Sequence, residues 1–287
     1  MCQTRENINR TFLYIIWGGA GFCSELNQLL LAFAYSVASK RHFLIDSRQW
    51  NYGNFNDYFN FEANIFYSLS HYTFLSEINL KNDQIEHLKT TRIGSQVKTF
   101  WVATRHVQSI EIKRRVAHYL WQRMTKETKL FIQKYRISNI SNYIGIHIRR
   151  GDKLVKEARV ISLQKYIEII ERRILVKNVS QHIFVSSDDH LVIDELCHLK
   201  PTWNFVSIYN NHYNNTQRHG HFQSQFNRLS SSEKLFETRL LMCELQMLID
   251  SQYVLCSMSS NVCRFIQILR HQHPSTVISL DRSWFGT

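Results

Sequence analysis

The sequence predicts an α/β protein in two halves, each a parallel sheet covered by helices on both faces, and three observations predict it. Strand-like apolar runs alternate with helix-like amphipathic segments from start to finish. The first such unit is joined by a glycine-rich turn, Gly18-Gly-Ala-Gly21. A charged cluster, His147 to Lys153, follows directly on a buried-type strand, at the strand end where ligands bind in such folds.

The elements run in order. Thr11 to Ile16 reads as a strand, and after the glycine turn Leu26, Leu29, Leu30, Phe33, Ala34 and Val37 fall at spacings of three and four, which predicts a helix over 24–40. Phe43 to Ile45 reads as the next strand. His106 to Tyr135 has the apolar spacing of an amphipathic helix and carries much of the basic charge: ten Lys or Arg against two Glu lie between Lys98 and Arg136. That surface is either a solvated basic face or one that attracts a nucleotide diphosphate or an acidic acceptor. The second half alternates more clearly. Strands are predicted at 143–148, 182–185, 204–206, 253–256 and 276–279, with helices at 163–176, 190–198, 234–248 and 261–271. The polar tract Asn210 to Ser232 reads as a long surface loop. The boundary falls near residues 137 to 142, dividing the chain into 1–140 and 141–287.

Bulk properties narrow the function classes. At 287 residues, 44% hydrophobic and 20% charged, with two prolines and nine glycines, the chain is that of a globular protein rather than a disordered or fibrous one. No apolar run reaches the roughly 18 residues a membrane helix needs. The most apolar early stretch, Phe12 to Ile16, is too short and lacks the flanks of a secretory signal. A formal charge of +12 favours anionic partners. Six cysteines are too few for a disulfide scaffold and lack the paired spacing of a structural zinc site, so no metal is expected. Asn139, Asn178 and Asn214 each begin a glycosylation sequon, weak evidence for a secretory route in an asparagine-rich chain.

Two motifs point to chemistry. In the turn Gly18 to Phe22, small residues let backbone amides approach a phosphate at a helix N-terminus, although the full dinucleotide spacing is missing and a tight turn with no ligand is the alternative. The stretch His147-Ile-Arg149-Arg150-Gly151-Asp152-Lys153 is more specific, because charges at the end of a buried strand need a partner. Arginine forks bind phosphate oxygens and neutralise the charge that develops on a diphosphate leaving group. Neighbouring residues on a strand point to opposite sides, so either both arginines serve a ligand or one braces the site through Asp152.

With Glu157 ten residues after His147 and Tyr166 nine after Glu157, this stretch resembles glycosyltransferase family 23, the alpha-1,6-fucosyltransferases, whose motif is H-x-R-R-x-D-K with a glutamate and a tyrosine at those distances. Further matches run in order along the chain. They are the Gly19-Ala-Gly-Phe-Cys-Ser-Glu-Leu turn, Ser47 to Tyr52, Phe184 to Asp189, Cys256 to Arg264 and Ser279 to Asp281. The resemblance implies a GT-B-like fold of two Rossmann-like halves with the active site in the cleft between them. Residues 1–140 would form the acceptor side and 141–287 the donor-binding half. It implies an inverting fucosyltransferase that uses GDP-fucose, with no cofactor and no required metal.

By the same resemblance Glu157 is the general base, oriented by Lys153, Arg149 and Asp152 belong to the catalytic group with them, and Arg149 and Arg150 take the diphosphate. Gly21, Phe22 and Tyr52 would close on the diphosphate, His147 would contact the nucleotide, and Ser259 and Ser260 would join the donor site. Glu244 stands where the family has a guanine-binding aspartate. Asp188 and Asp189 would hold the arginines or the fucose hydroxyls, and Tyr166 is either a donor-site residue or a core tyrosine. Lys153, Asn261 and Asp281 are expected on the acceptor side. There Asn261 replaces a glutamine and Arg282 a second aspartate, which leaves the acceptor open. Cys256 and Cys263 match two family cysteines that are disulfide-linked.

The expected acceptor is a GlcNAc O-6 in an N-glycan or chitin-type oligosaccharide. In length the chain is nearer the bacterial nodulation enzymes than the animal ones. It would work in the secretory pathway if a longer precursor is targeted, otherwise in the cytoplasm. The competing readings are another GDP-fucose transferase, alpha-1,2 or protein O-linked, and a non-catalytic binder of nucleic acid, glycan or nucleotide.

Overall fold

The structure is a computed structural model that describes residues 11–16, 18–38, 42–60, 86–89, 107–151, 161–175, 181–209, 221–270 and 274–282. It divides into two compact units, Met1–Thr128 with Phe285–Thr287, and Lys129–Trp284.

In the first unit, strand β1 (Thr11–Ile15) leads through the glycine turn into helix α1 (Phe22–Ala38) and back to β2 (His42–Asp46). A third strand, β3 (Glu86–Lys89), lies on the other side of β1, and all pairings are parallel in the order β2-β1-β3. Leu26, Leu29, Leu30, Phe33 and Ala34 of α1 are buried as their spacing predicts. Helix α2 (Val107–Gln122) packs on α1 through Tyr119, whose ring meets Phe33 edge-on at 6.3 Å.

The single helix expected over 106–135 is two, α2 and α3 (Lys126–Tyr135). The break has a local cause. The Arg123 carbonyl accepts from the Asn60 amide at 2.7 Å and the Thr125 amide donates to the Tyr58 carbonyl at 2.9 Å, pulling this stretch into an antiparallel bridge at Met124 and Phe59. Thr125 then caps the new helix, its hydroxyl accepting from the Thr128 amide at 3.2 Å. The division between units falls within α3, ahead of the 140/141 division expected. From Lys129 on, α3 belongs with the second unit because it packs there: Phe131 and Tyr135 surround the Phe236 ring at 5.3 and 5.7 Å, and the Cys243 thiol donates to the Ile132 carbonyl.

The second unit holds a five-stranded sheet of β4 (Ile144–Ile148), β5 (His182–Ser187), β6 (Asn204–Val206), β7 (Tyr253–Cys256) and β8 (Val277–Ser279). Its order is β6-β5-β4-β7-β8, every pair parallel. The central strand β4 is buried along its whole length, as a two-sided cover requires. The covers are α4 (Leu163–Ile169, continued by a π turn to Ile174), α5 (Leu191–Leu199), the short α6 (Gln223–Phe226), α7 (Ser231–Asp250) and α8 (Asn261–Leu269). A capping box opens α7, the Ser230 side chain accepting from the Glu233 amide while Glu233 accepts from the Ser230 amide at 2.8 Å. Arg270 ends it, donating to the Ile249 and Ser251 carbonyls at 2.6 Å each. The strand order reverses direction between β4 and β7, which makes the carboxyl ends of these two strands the ligand-binding crevice of such a sheet.

Candidate active site

The chain leaves β4 at Arg149 and turns under the control of one carboxylate. Asp188, at the end of β5, accepts from the Arg150 amide at 2.7 Å, from the Gly151 amide at 2.9 Å and from the His221 amide at 3.3 Å. It also pairs with Arg149 Nε at 3.2 Å. Glycine at 151 is obligatory, since a Cβ there would lie 2.4 Å from the His221 carbonyl oxygen and 2.6 Å from an Asp188 oxygen. Thus Asp188 binds the end of β4, the end of β5 and the start of the 221 segment into one corner.

The two arginines have different surroundings. Arg149 leans on Asp188 and remains 23% exposed. Arg150 forks the Glu195 carboxylate on α5 with both terminal nitrogens, Nη2 at 2.7 Å, and reaches Asp189 at 3.5 Å. Asp189 also accepts from the Leu191 amide at 3.1 Å. Among the described residues Arg150 is braced by Glu195. His147 is buried, and burial together with the Arg149 charge pushes its imidazole down to about 4, so it is neutral at pH 7. Its Nδ1 makes no hydrogen bond among the described residues. Tyr166 on α4 is a buried residue that donates to the His147 carbonyl at 3.1 Å, and burial raises its phenol well above the ordinary range.

Across the crevice, the turn after β7 is built on Asp281. Its carboxylate accepts from the Ser257 hydroxyl at 2.5 Å and from the Met258, Ser259 and Arg282 amides at 2.7, 3.0 and 2.8 Å. Burial works against its ionisation, yet these donors outweigh it and hold the carboxyl far below the usual range. Ser260 caps α8, its hydroxyl accepting from the Val262 amide, and Asn261 is the helix's first residue. Arg264 Nε donates to the Met258 carbonyl at 2.8 Å. Cys256 and Cys263 form the expected disulfide, tying β7 to α8. Glu244 is buried in α7, which packs against β4 and β5.

The glycine turn belongs to the first unit. Ala20 is gripped on both sides, its amide donating to Glu25 at 3.1 Å and its carbonyl accepting from the Tyr52 hydroxyl at 3.3 Å. A turn amide expected to meet a phosphate is therefore taken by a side chain of the same helix. Gly18 is fixed by crowding, a Cβ there lying 2.5 Å from the Asn51 nitrogen, whereas Gly19 and Gly21 face open space. Phe22 is a core residue among Trp50, Tyr52 and Tyr58.

Of the expected site residues, the fold gathers His147, Arg149, Arg150, Tyr166, Asp188 and Asp189 at one strand end, and Ser259, Ser260, Asn261 and Asp281 at its neighbour. Asp152, Lys153 and Glu157 lie outside the described residues. Sequence reading gave no role to Glu195, Glu25, Ser257 or His221, although Glu25 and Ser257 lie within the quoted family matches and Glu195 stands as a carboxylate one turn into the helix behind Asp188 and Asp189. Among the described residues no three His, Cys, Asp or Glu side chains cluster to hold a metal ion, and no helix is long and apolar enough to cross a membrane.

Comparison with known proteins adds a family. Residues 112–281 match the model described as alpha-(1,6)-fucosyltransferase N- and catalytic domains. An alpha-(1,6)-fucosyltransferase of Drosophila melanogaster is 28% identical over 140 residues, which is 46% of this chain and 20% of that protein. The matched region thus spans about a fifth of that relative's length. Among solved structures, NodZ alpha-1,6-fucosyltransferase soaked with GDP-fucose superposes with a TM-score of 0.58 at 16% identity, covering 90% of this chain and 92% of that one; NodZ is a Bradyrhizobium protein. POFUT1 in complex with GDP gives 0.56 at 10% identity, covering 96% and 99%. An Arabidopsis thaliana FUT1 mutant in complex with GDP gives 0.52 at 14%, covering 91% and 68%. At these identities the likeness is one of fold, the GT-B-like α/β class with parallel sheets.

Proposed function

The chain belongs to the alpha-(1,6)-fucosyltransferase family, and from that premise we propose that it moves L-fucose from GDP-fucose to a sugar hydroxyl with inversion at the anomeric carbon. The observation that carries this reading is the corner at the end of β4, where Asp188 presents Arg149 beside the strand-order reversal and opposite the Ser257–Ser260 turn. A guanidinium at that position neutralises the charge that grows on a departing diphosphate. The acceptor oxygen bonds to the anomeric carbon as the bond to the diphosphate breaks, GDP leaves with the electron pair, and a base takes the hydroxyl proton.

Glu157 is the proposed base, with Lys153 orienting it and Asp152 completing the group; these roles rest on their spacing from His147. His147, neutral and buried, suits a nucleotide contact, and a carboxylate at Glu244 suits guanine, accepting from its N1–H and exocyclic amine. Ser259 and Ser260 lie in the turn facing the donor corner. Asp281 acts by shaping that turn, and Tyr166 by fixing the His147 peptide. The acceptor is GlcNAc O-6 in an N-glycan or chitin-type oligosaccharide, and no metal takes part.

The test is transfer from GDP-fucose to a panel of N-glycan and chitin-oligosaccharide acceptors, run with and without EDTA. Transfer undiminished by EDTA is expected. Glu157→Gln should lose turnover while still binding GDP, and Arg149→Ala should lose GDP affinity. Neither transfer nor GDP binding under any condition would sink the proposal, whereas full turnover in Glu157→Gln would remove only the base assignment.

A further inference from the structure

We propose that Glu195 is a positioning residue for the anion grip: by forking Arg150 it fixes the peptide from which Arg149 projects. The inference rests on the donor-site reading above. Two neighbouring cations at a strand end invite the view that both bind the ligand, but their contacts divide the work. The Arg150 guanidinium meets Glu195 with both terminal nitrogens and Asp189 with one of them. A bidentate, charge-assisted fork is the strongest geometry an arginine can adopt with a carboxylate. That hydrogen bonding also holds the Glu195 carboxyl below its usual range and raises Arg150.

The fork joins two elements that lie some forty-five residues apart in the chain. Arg150 follows the central strand, and Glu195 lies in the helix behind the neighbouring strand. Asp188 fixes the same turn from the sheet side through the amides of Arg150 and Gly151. With Glu195 pulling the side chain outward and Asp188 holding the main chain, the second arginine becomes a tether. The first is then the cation that meets the diphosphate. Removing Glu195 would leave the Arg150 guanidinium, among the described residues, with Asp189 at 3.5 Å, and its charge would be released to move within the turn.

The experiment is a double-mutant cycle read by GDP binding calorimetry, with hydrogen–deuterium exchange of the 144–151 segment in the ligand-free protein as a second readout. Glu195→Ala and Arg150→Ala should each weaken GDP binding about tenfold, and the double variant should be no weaker than either single. Arg149→Ala should lose about a hundredfold or more. Exchange at Arg150 and Gly151 should rise in Glu195→Ala and Arg150→Ala but not in Arg149→Ala. Glu195→Gln, which keeps one accepting oxygen and the side-chain length, should fall between wild type and Glu195→Ala, and serves if the alanine variant folds poorly.

An Arg150→Ala loss as large as that of Arg149→Ala, with Glu195→Ala close to wild type, would overturn the inference and make Arg150 a direct ligand. Tight GDP binding by wild type, loss in Arg149→Ala and no loss in Glu195→Ala would overturn it while leaving the donor site intact. A wild-type protein that binds no GDP, or an Arg149→Ala variant that binds it as tightly as wild type, would instead overturn the donor-site reading.

Discussion

Glu25 is 5% exposed and accepts from the Ala20 amide. Burial pushes its carboxyl up to about 7, against the opposing pull of the Ala20 and Gly19 amides. A carboxyl whose folded pKa lies above its unfolded value favours folding fully below the unfolded pKa, and this contribution is lost as pH rises through the folded one. Between pH 4.5 and about 8 wild type should therefore lose about 3 kcal/mol of stability that Glu25→Gln does not lose. Urea melts of the two proteins across that range check it; parallel curves would refute it. Gly151 makes a second prediction at this scale. Alanine there must push the His221 backbone from the Arg150 turn, so Gly151→Ala should cost about 1–3 kcal/mol in a urea melt and weaken GDP binding.

Among elements, the link from β7 to α8 is cross-linked by Cys256 and Cys263, closing a loop of sequence separation 7. Chain-entropy reasoning assigns such a loop about 2–3 kcal/mol, so Cys263→Ala should lower stability by that amount in a urea melt under oxidising conditions, and mild reductant should bring wild type to the same level. The elements also show what could be read in advance. The second unit was legible because its strands are short apolar runs and its helices have clean spacing: Ile144 to Ile148 and the buried face of α8 follow directly from residue type. The break at Arg123–Thr125 was hidden because both flanking helices keep the same apolar period, and what ends α2 is a pairing with residues Tyr58–Asn60, more than sixty positions away. Strand β3, Glu-His-Leu-Lys, was hidden for a related reason, since its backbone pairing with β1 leaves no alternation of apolar residues to mark it. In the site, the arginines and aspartates were legible as charges in need of partners. Pairing of Asp188 and Asp189 with the two arginines was among the expectations and is found, whereas the Glu195 fork was hidden, because Glu195 reaches Arg150 through the fold and not along the chain.

For the molecule as a whole, a formal charge of +12 makes every encounter with a nucleotide diphosphate electrostatically favoured. GDP association should slow as salt rises from about 0.05 to 0.5 M, while dissociation changes less, because long-range steering is screened over about a Debye length and the Arg149 corner is partly shielded. Stopped-flow binding at several salt concentrations measures both; a purely dissociation-based effect would contradict the steering account. The His221 anchor on Asp188 has a consequence of another kind. The chain enters the corner at a fixed point whatever precedes it. The anchoring donor is a main-chain amide, so any residue but proline at 221 can supply it, and evolution is at liberty to change that side chain while the corner is inherited unaltered.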